Sequence, residues 1–193
     1  MENSKGNFLI IGGTSGIGHA LCEILSKAGS KVFSASRKGA EFDHTVDGVS
    51  YLKYDAIDEK QSLEGLPEVL HGMAYCPGSI TLKPFHRLSS KDFLADYEIN
   101  VLGAVRAIKF ALPALKKAER SSIVLFSTVA ATVGLNFHTS IASAKAAVEG
   151  LGKSLAAELA HLYIRVNVIA PSLTDTPLAG NLLSTPEKKE AAG

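Results

Sequence analysis

A short apolar run that leads directly into three closely spaced glycines constrains this chain more than any other segment. The run Phe8–Ile11 precedes the glycines, and an amphipathic segment follows them at once. This order predicts a buried strand that turns tightly into a helix, because glycine accepts positive φ and leaves no Cβ between the backbone and a ligand. The free amides and the dipole of that helix would attract an anion, most naturally a pyrophosphate. A tight turn without a ligand is the alternative. The candidate binding residues of the turn are Gly12, Thr14, Ser15, Gly16, Ile17 and Gly18.

The composition excludes several classes of function. The 193 residues suit a single domain, and 46% hydrophobic with 20% charged residues is typical of a globular protein. A net charge of +1 gives no electrostatic basis for binding nucleic acid or a membrane surface. The two cysteines are too few for a disulfide framework, which favours a reducing compartment. The apolar run after the first residues is too short for a signal peptide or a membrane span. We therefore expect a cytoplasmic protein, and we predict no metal site.

Segments typical of strands and helices alternate along nearly the whole chain. Strands joined by helices of this length predict an α/β fold with a doubly wound parallel sheet, the Rossmann fold, in one domain over residues 1–193. The predicted strands are Phe8–Ile11, Lys31–Ser36, Val49–Tyr54, Gly72–Tyr75, Ser122–Ser127 and Arg165–Ala170. The predicted helices are Gly16–Ala28, Gln61–Leu70, Lys91–Lys117 and Ser140–His161.

The last of these helices has two different faces. One is an apolar stripe, and the other is made of small residues: Ala147, Gly150, Ser154 and Ala157. Small residues allow close packing against a neighbouring helix of the same chain, or against a partner subunit. The second interpretation predicts a homodimer or homotetramer formed through the helices 91–117 and 140–161.

Several motifs, in the right order, resemble the short-chain dehydrogenase/reductase family over essentially the whole length. The glycines at 12, 16 and 18 match the coenzyme motif of that family, G-x-x-x-G-x-G. The resemblance implies that Asp55 contacts the adenine ring and that Asn100 supports a proton relay. It also implies that Lys145 binds the nicotinamide ribose. The segment ending at Pro171 matches the strand before the nicotinamide loop, and Thr176 stands where the family threonine meets the carboxamide.

The end of the second predicted strand bears on the choice of coenzyme. Relatives that prefer NAD carry an acidic residue there, whereas this chain has Ser36, Arg37 and Lys38. Ser36 would leave room for a 2′-phosphate, and the guanidinium of Arg37 could bind it. The alternative is that these cations are solvated loop charges. We expect NADP(H) to be preferred over NAD(H).

The catalytic tyrosine of the family is missing. Four residues before Lys145 the chain has Ile141, which cannot donate a proton to a carbonyl oxygen. Thr128 occupies the position of the family serine and keeps its hydroxyl, and Ser127 could serve if the strand end is shifted. His138 is a candidate replacement donor, although an exposed loop histidine is the alternative. Tyr75 is another candidate donor, and packing against the adenosine half of the coenzyme is its alternative.

Two functional hypotheses follow from the resemblance. The first is an NADP(H)-dependent oxidoreductase that acts on a carbonyl or alcohol with atypical proton donation. The second is a catalytically silent NADP(H)-binding sensor or subunit partner. The substrate would be a small molecule, apolar or aromatic, because residues 177–183 offer no distinctive polar anchor. Relatives continue through a further helix and a seventh strand that would lie beyond Gly193, so we expect the region that closes the substrate pocket to be incomplete.

Overall fold

A single parallel sheet of six strands organises the chain. The computed structural model describes residues 5–180. The strand order is β3-β2-β1-β4-β5-β6, and each adjacent pair is parallel. This confirms the predicted Rossmann-type sheet. The strands are β1 (Asn7–Ile11), β2 (Lys31–Ser36), β3 (Val49–Lys53), β4 (Gly72–Tyr75), β5 (Ser121–Phe126) and β6 (Ile164–Ile169).

Helices connect most of the strands and cover both faces of the sheet. The longest helix, α5, runs into a short 3₁₀ helix, Ala160–Leu162, after which a left-handed residue, Tyr163 at φ 57°, turns the chain into β6. The helices are α1 (Gly16–Lys27), α2 (Ser90–Tyr97), a π-helix (Glu98–Leu102), α3 (Gly103–Leu115), α4 (Ala130–Val133) and α5 (Thr139–Leu159).

Alternation along β1 divides the core into two layers. Leu9 and Ile11 belong to the larger cluster with α3 and α5, whereas Ile10 packs with Cys22 of α1 on the opposite face. This is the period of two that a strand buried on both faces requires. On α3 the side chains that face the sheet are mostly alanines, which let the helix lie close to the strands: Ala104, Ala107, Ala111 and Ala114.

The predicted helix Gln61–Leu70 is wrong. The segment between β3 and β4 has no regular secondary structure. Gly65 adopts a left-handed φ of +80°, and Pro67 lacks the amide that a helix interior needs. Leu63 and Leu70 are nevertheless buried, at 7% and 0% exposure. The apolar spacing of this segment therefore reports packing onto the core and not helical periodicity.

The predicted helix Lys91–Lys117 is divided into three pieces. It begins with a capping box, in which Ser89 and Asp92 satisfy each other's backbone amides. The π-helix then interrupts α-helical geometry, so that α3 continues in a new register. Asn100 lies inside this π-helix and is only 2% exposed. The interruption thus presents one polar side chain to the interior, as π-turns often do at functional sites.

Some apolar surface remains uncovered in the described part of the chain. Leu94, Tyr97 and Phe110 on α2 and α3 are 68%, 42% and 39% exposed. A Cβ at Gly150 on α5 would meet nothing within 4 Å, so the small face of that helix is open. Association of subunits through the predicted helices 91–117 and 140–161 stays a prediction. No helix within residues 5–180 is long and apolar enough to cross a membrane.

Candidate active site

A cleft of about 490 Å³ opens at the carboxyl ends of the central strands. It lies where the connections from β1 and β4 lead to opposite halves of the sheet, which is where open α/β sheets bind ligands. Among its walls are the whole glycine turn, the end of β2, the loop after β3, the loop after β4 and the segment after β6. Its predicted residues are Gly12, Thr14, Ser15, Gly16, Ile17, Gly18, Ser36, Arg37, Asp55 and Thr176.

The glycine turn has the geometry that the sequence predicted. Gly12 and Gly16 adopt positive φ values of 79° and 53°. A Cβ at Gly18 would collide with the carbonyl oxygen of Gly12, so this position brings helix and strand together. Ser15 caps α1 in extended conformation without a side-chain hydrogen bond, and the first turn has no acidic residue. The amino end of α1 therefore faces the cleft with its dipole uncompensated.

Polar atoms without partners indicate that this cleft is built for a polar ligand. Ser36 Oγ and the Tyr54 hydroxyl are buried and have no hydrogen-bond partner among residues 5–180, and both residues line the cleft. A native fold leaves few such groups, and bound ligands are a common explanation. Together with the glycine turn, these atoms fit a dinucleotide that carries hydroxyl and phosphate groups. Burial raises the pKa of Tyr54, so its hydroxyl stays protonated and can donate.

The end of the cleft next to β2 is basic. The neighbouring loop after β3 is held in place by hydrogen bonds. Arg37 and Lys38 are exposed and form no ion pair with any residue in the range 5–180. Asp55 Oδ1 accepts from the Ile57 amide at 3.2 Å, which fixes the loop after β3. Arg106 of α3 supports the same loop, since its Nε and Nη2 atoms donate to the Ala56 carbonyl at 2.9 and 2.8 Å. Sequence reasoning missed Arg106, and nothing in its local pattern distinguishes it.

Lys145 and Asn100 meet beside the loop that follows β4. A Cβ at Gly78 would lie 3.1 Å from Asn100 Oδ1 and 3.5 Å from Lys145 Nζ, so both side chains flank the same point of the cleft wall. Lys145 Nζ also donates to the Phe126 carbonyl at 2.8 Å. Burial lowers the pKa of Lys145 to about 8, and the charges of Cys76 and Asp96 partly oppose this shift. Lys145 is therefore still largely protonated near neutral pH.

The amide of Asn100 has a defined orientation. Its Nδ2 donates to the Asp96 carbonyl at 2.8 Å and to Ser79 Oγ at 3.0 Å. A backbone carbonyl can only accept, so the amide nitrogen must face it. The buried Oδ1 is left without a partner among residues 5–180 and faces Lys145 across Gly78. A water or ligand hydroxyl between the two would complete both groups.

The side chains of Thr128 and Ser127 lie in different environments, and only that of Ser127 is buried. Ser127 is 3% exposed, and its hydroxyl donates to Glu149 Oε1 on α5 at 2.7 Å. Thr128 is half-buried, and its Oγ1 accepts only a long contact of 3.3 Å from the Ala130 amide. The strand end is therefore not shifted in the way that would make Ser127 available. Thr128 keeps a hydroxyl proton free for an oxygen of a ligand.

The tyrosine position is occupied by a buried aliphatic side chain. Ile141 is 5% exposed on the first turn of α5. His138 caps this helix, and its Nδ1 lies 2.7 Å from the Asn136 carbonyl. Because that carbonyl can only accept, Nδ1 carries the proton and the neutral ring offers Nε2 as an acceptor. His138 could therefore donate a proton from Nε2 only in its imidazolium form.

Tyr75 does not contact the cleft. It is 3% exposed in the core, and its hydroxyl donates to the Ile99 carbonyl of the π-helix at 2.6 Å. Burial strongly raises the pKa of this phenol. Neither proton donation nor packing against an adenosine fits this position, so both interpretations of Tyr75 are wrong. Its hydroxyl instead stabilises the π-helix through the hydrogen bond to the Ile99 carbonyl.

The segment after β6 returns to the glycine turn. The Val129 amide donates to the Pro171 carbonyl at 3.1 Å, which ties this segment to the loop that carries Thr128. A Cβ at Gly16 would lie 3.3 Å from Thr176, so the two loops face each other across the cleft. The predicted pocket-closing region continues beyond residue 180 and lies outside the described residues.

Both cysteine thiols are expected to resist alkylation in the folded protein. Burial raises the pKa of Cys22 to about 11 and that of Cys76 to about 12. Their reactive thiolates are therefore scarce at about pH 8.5, where half of an ordinary thiol is ionised. As the pH rises, these thiols ionise in the unfolded chain before they ionise in the folded one. The stability that their burial in the neutral form contributes is therefore lost as the pH rises through the pKa values of the folded state.

Iodoacetamide labelling of native and urea-unfolded protein, followed by mass spectrometry, checks this expectation. We expect labelling of the native chain to be slower by at least ~100-fold, since the folded pKa values lie two or more units above that of an ordinary thiol. Equal rates in the two states would contradict the burial of both thiols.

Comparison with known proteins identifies the framework of this site. The family profile described as short chain dehydrogenase matches residues 7–187, which is nearly the whole chain. The chain belongs to the short-chain dehydrogenase/reductase family. The predicted resemblance is thereby confirmed, and the chain is an oxidoreductase of the type that acts on carbonyl and alcohol groups.

Individual relatives of this short-chain dehydrogenase agree with the assignment. A tropinone reductase homolog of Arabidopsis thaliana is 30% identical over 96% of this chain and 76% of its own length. An L-xylulose reductase of Caenorhabditis elegans is 28% identical over 94% of this chain and 77% of its own length. The solved aldohexose dehydrogenase of Thermoplasma acidophilum superposes with a TM-score of 0.83 at 25% identity, covering 98% of this chain and 77% of the other.

Proposed function

We propose that this protein is an NADP(H)-dependent oxidoreductase that interconverts a small carbonyl compound and its alcohol without a tyrosine proton donor. The proposal depends above all on the continuity of the cleft. Its lining runs from basic residues at the end of β2, past the glycine turn, to Gly78, and the side chains of Lys145 and Asn100 lie against Gly78. A dinucleotide is the ligand class that needs a phosphate cradle and a polar reactive end within one groove.

The preference for NADP(H) is supported by charge at one position. β2 ends at Ser36 with no carboxylate to accept hydrogen bonds from ribose hydroxyls, and the exposed Arg37 follows. A guanidinium binds a phosphate through two parallel hydrogen bonds, whereas a ribose hydroxyl gains little from it. Asp43 also lines this end of the cleft, but Arg37, Lys38 and His44 surround the same space.

The chemistry divides between the coenzyme and the side chains around it. The bound coenzyme supplies or accepts the hydride. Thr128 can donate its hydroxyl proton in a hydrogen bond to the substrate oxygen, and protonated Lys145 can donate to a ribose hydroxyl. Neither replaces the acid that Ile141 removes, so the proton comes from the His138 imidazolium, from water or from the substrate. We expect slow turnover for this reason, since general acid catalysis contributes ~10²–10⁴-fold.

Titration of the protein with NADPH and NADH, followed by nicotinamide fluorescence, tests the coenzyme part. We expect tight binding of NADPH. Arg37→Ala should weaken NADPH by ~10–100-fold, the value of a hydrogen bond to a charged group, and leave NADH unchanged. Lys116→Ala is the matched control, because it removes the same charge from an exposed site at the end of α3. Equal losses in the two variants would contradict a specific role of Arg37.

Turnover with a panel of aldehydes, ketones and conjugated alkenes tests the catalytic part. Oxidation of NADPH by any of them supports the proposal. Tight binding with complete inertness across the panel would instead favour a nucleotide-binding sensor or subunit partner. In that case addition of NADPH should change self-association, which sedimentation measures directly.

A further inference from the structure

A buried carboxylate behind the active site has no role in the mechanism above. Asp96 lies on α2 and is 1% exposed. Three hydroxyl groups donate to it: Ser79 at 2.5 Å, Thr81 at 3.0 Å and Ser140 at 2.6 Å. No described residue forms an ion pair with it. A charge in such a position requires hydrogen bonds and a compensating cation, because burial strongly disfavours it.

The hydroxyls of Ser79 and Ser140 connect Asp96 to two segments beside the Lys145–Asn100 pair. Ser79 follows Gly78 in the loop after β4, and Ser140 lies directly before Ile141 on α5. The backbone carbonyl of Asp96 and the hydroxyl of Ser79 together hold the Asn100 amide. The carboxylate therefore joins the loop, the π-helix and the start of α5 at one point.

Asp96 also acts electrostatically on the half-buried Lys145, whose Nζ lies on the same side of Gly78 as the Asn100 amide that Ser79 and Asp96 hold. Its negative charge raises the pKa of Lys145, against the larger effect of burial. Cys76 beyond β4 is the other titratable group that acts on Lys145, and it is uncharged below its raised pKa of about 12. β5 and α4 have no ionisable residue, and Glu98 of the π-helix pairs with Arg106. Glu149, four residues after Lys145 on α5, accepts the Ser127 hydroxyl, and Asp96 is the carboxylate whose charge raises the pKa of Lys145.

We propose that Asp96 is a positioning residue of the active site: its caged carboxylate fixes Ser79, which together with the Asp96 carbonyl orients the Asn100 amide, and its charge acts on Lys145. The inference deepens the proposed function and depends on it, since an ordered Lys145–Asn100 pair matters only if a coenzyme binds there. Asp96 lies one helical turn before Asn100, and its backbone carbonyl accepts from the Asn100 amide across that turn.

Competitive acetylation tests the charge without any bound nucleotide. Trace labelling with acetic anhydride across the neutral to alkaline range, read by mass spectrometry of the Lys145 peptide, gives the pKa of that amine. We expect a value of about 8 in the parent protein. Asp96→Asn keeps the shape and most hydrogen bonds but removes the charge. It should move the labelling midpoint to lower pH by about one unit, as expected for one lost neighbouring charge.

Three further variants separate charge from structure. Asp92→Asn removes a partly exposed carboxylate from the first turn of the same helix, where it caps the helix and pairs with Lys83, and should leave the midpoint unchanged. Ser140→Ala removes one caging hydroxyl but retains the charge, so the midpoint should not fall. If Asp96→Asn does not fold, Asp96→Ser removes the same charge with a smaller side chain. An unchanged midpoint without the charge, or an equal fall in Ser140→Ala, would overturn the proposal.

A measurement of NADPH binding distinguishes failure of the Asp96 proposal from failure of the proposed function. In the parent protein the alkaline loss of NADPH binding should follow the deprotonation of Lys145, and in Asp96→Asn it should begin at lower pH. A midpoint that shifts in acetylation, in a protein that binds no NADPH, would confirm the charge coupling and refute the proposed function. Tight NADPH binding with no shift in either measurement would refute only the role of Asp96.

Discussion

Replacement of Ile141 by tyrosine is expected to raise the turnover of NADPH with a carbonyl substrate by ~10²–10⁴-fold, the usual contribution of a general acid. Position 141 precedes Lys145 by four residues, so both side chains lie on the same face of α5. Lys145 is positively charged near neutral pH, because its pKa is about 8. A phenol introduced beside this ammonium would ionise more readily and transfer its proton to the developing alkoxide.

Ile141→Phe is the matched control, because it introduces the same ring without the hydroxyl. Both aromatic variants are larger than the buried isoleucine and should lose a similar amount of stability, ~1–3 kcal/mol. Only the tyrosine variant should gain activity, and its rate should depend on a single ionisation. Equal activity of Ile141→Phe and Ile141→Tyr in the same assay would show that acid catalysis at this position is not what limits the protein.

Substitution of Gly18 by alanine is expected to abolish tight nucleotide binding and to destabilise the fold. The added Cβ would overlap the carbonyl oxygen of Gly12, which is backbone and cannot rotate away. The turn must therefore open, which separates α1 from β1 and moves the amides that would bind phosphate. We expect a loss of ~1–3 kcal/mol of stability, as for other overpacked sites, and a loss of at least ~10-fold in NADPH affinity.

Gly150→Ala provides the control for this substitution. Gly150 lies in the interior of α5, where an added Cβ meets no atom within 4 Å. Alanine is the better helix former by ~0.5–1 kcal/mol, so this variant should melt at a higher temperature and bind NADPH unchanged. Urea unfolding and fluorescence titration of both variants measure the two effects. A Gly18→Ala protein that retains both properties would mean that the turn tolerates a side chain.

The parts of this structure that were predictable are those in which local pattern and tertiary environment agree. All six strands were located within two residues of their observed ends, because each is a short run rich in apolar or β-branched residues bounded by turn-forming or polar ones. The glycine turn was predictable because its conformational requirement is visible in the residue type. The segment 61–70 misled for the opposite reason: its leucines are buried, but Gly65 and Pro67 prevent a helix.

The unpredicted parts of the site depend on contacts between distant segments. Asp96 and Ser140 are separated by 44 positions, and no local pattern pairs them. The π-helix requires an extra residue in a turn whose composition is ordinary, so its position could not be read from periodicity. Tyr75 was placed at the right strand end, but the choice between core and cleft depended on the Ile99 carbonyl, which belongs to that same π-helix.

The order of the strands also constrains how the chain can assemble during synthesis. Among the described residues β1 precedes the other five strands, and it occupies the interior of the sheet between β2 and β4. Its second edge remains open until residues 72–75 have emerged, and meanwhile Phe8–Ile11 is an apolar template for pairing with any other strand. We expect chains truncated between β3 and β4 to aggregate more readily than the full chain, because one edge of β1 then has no partner strand.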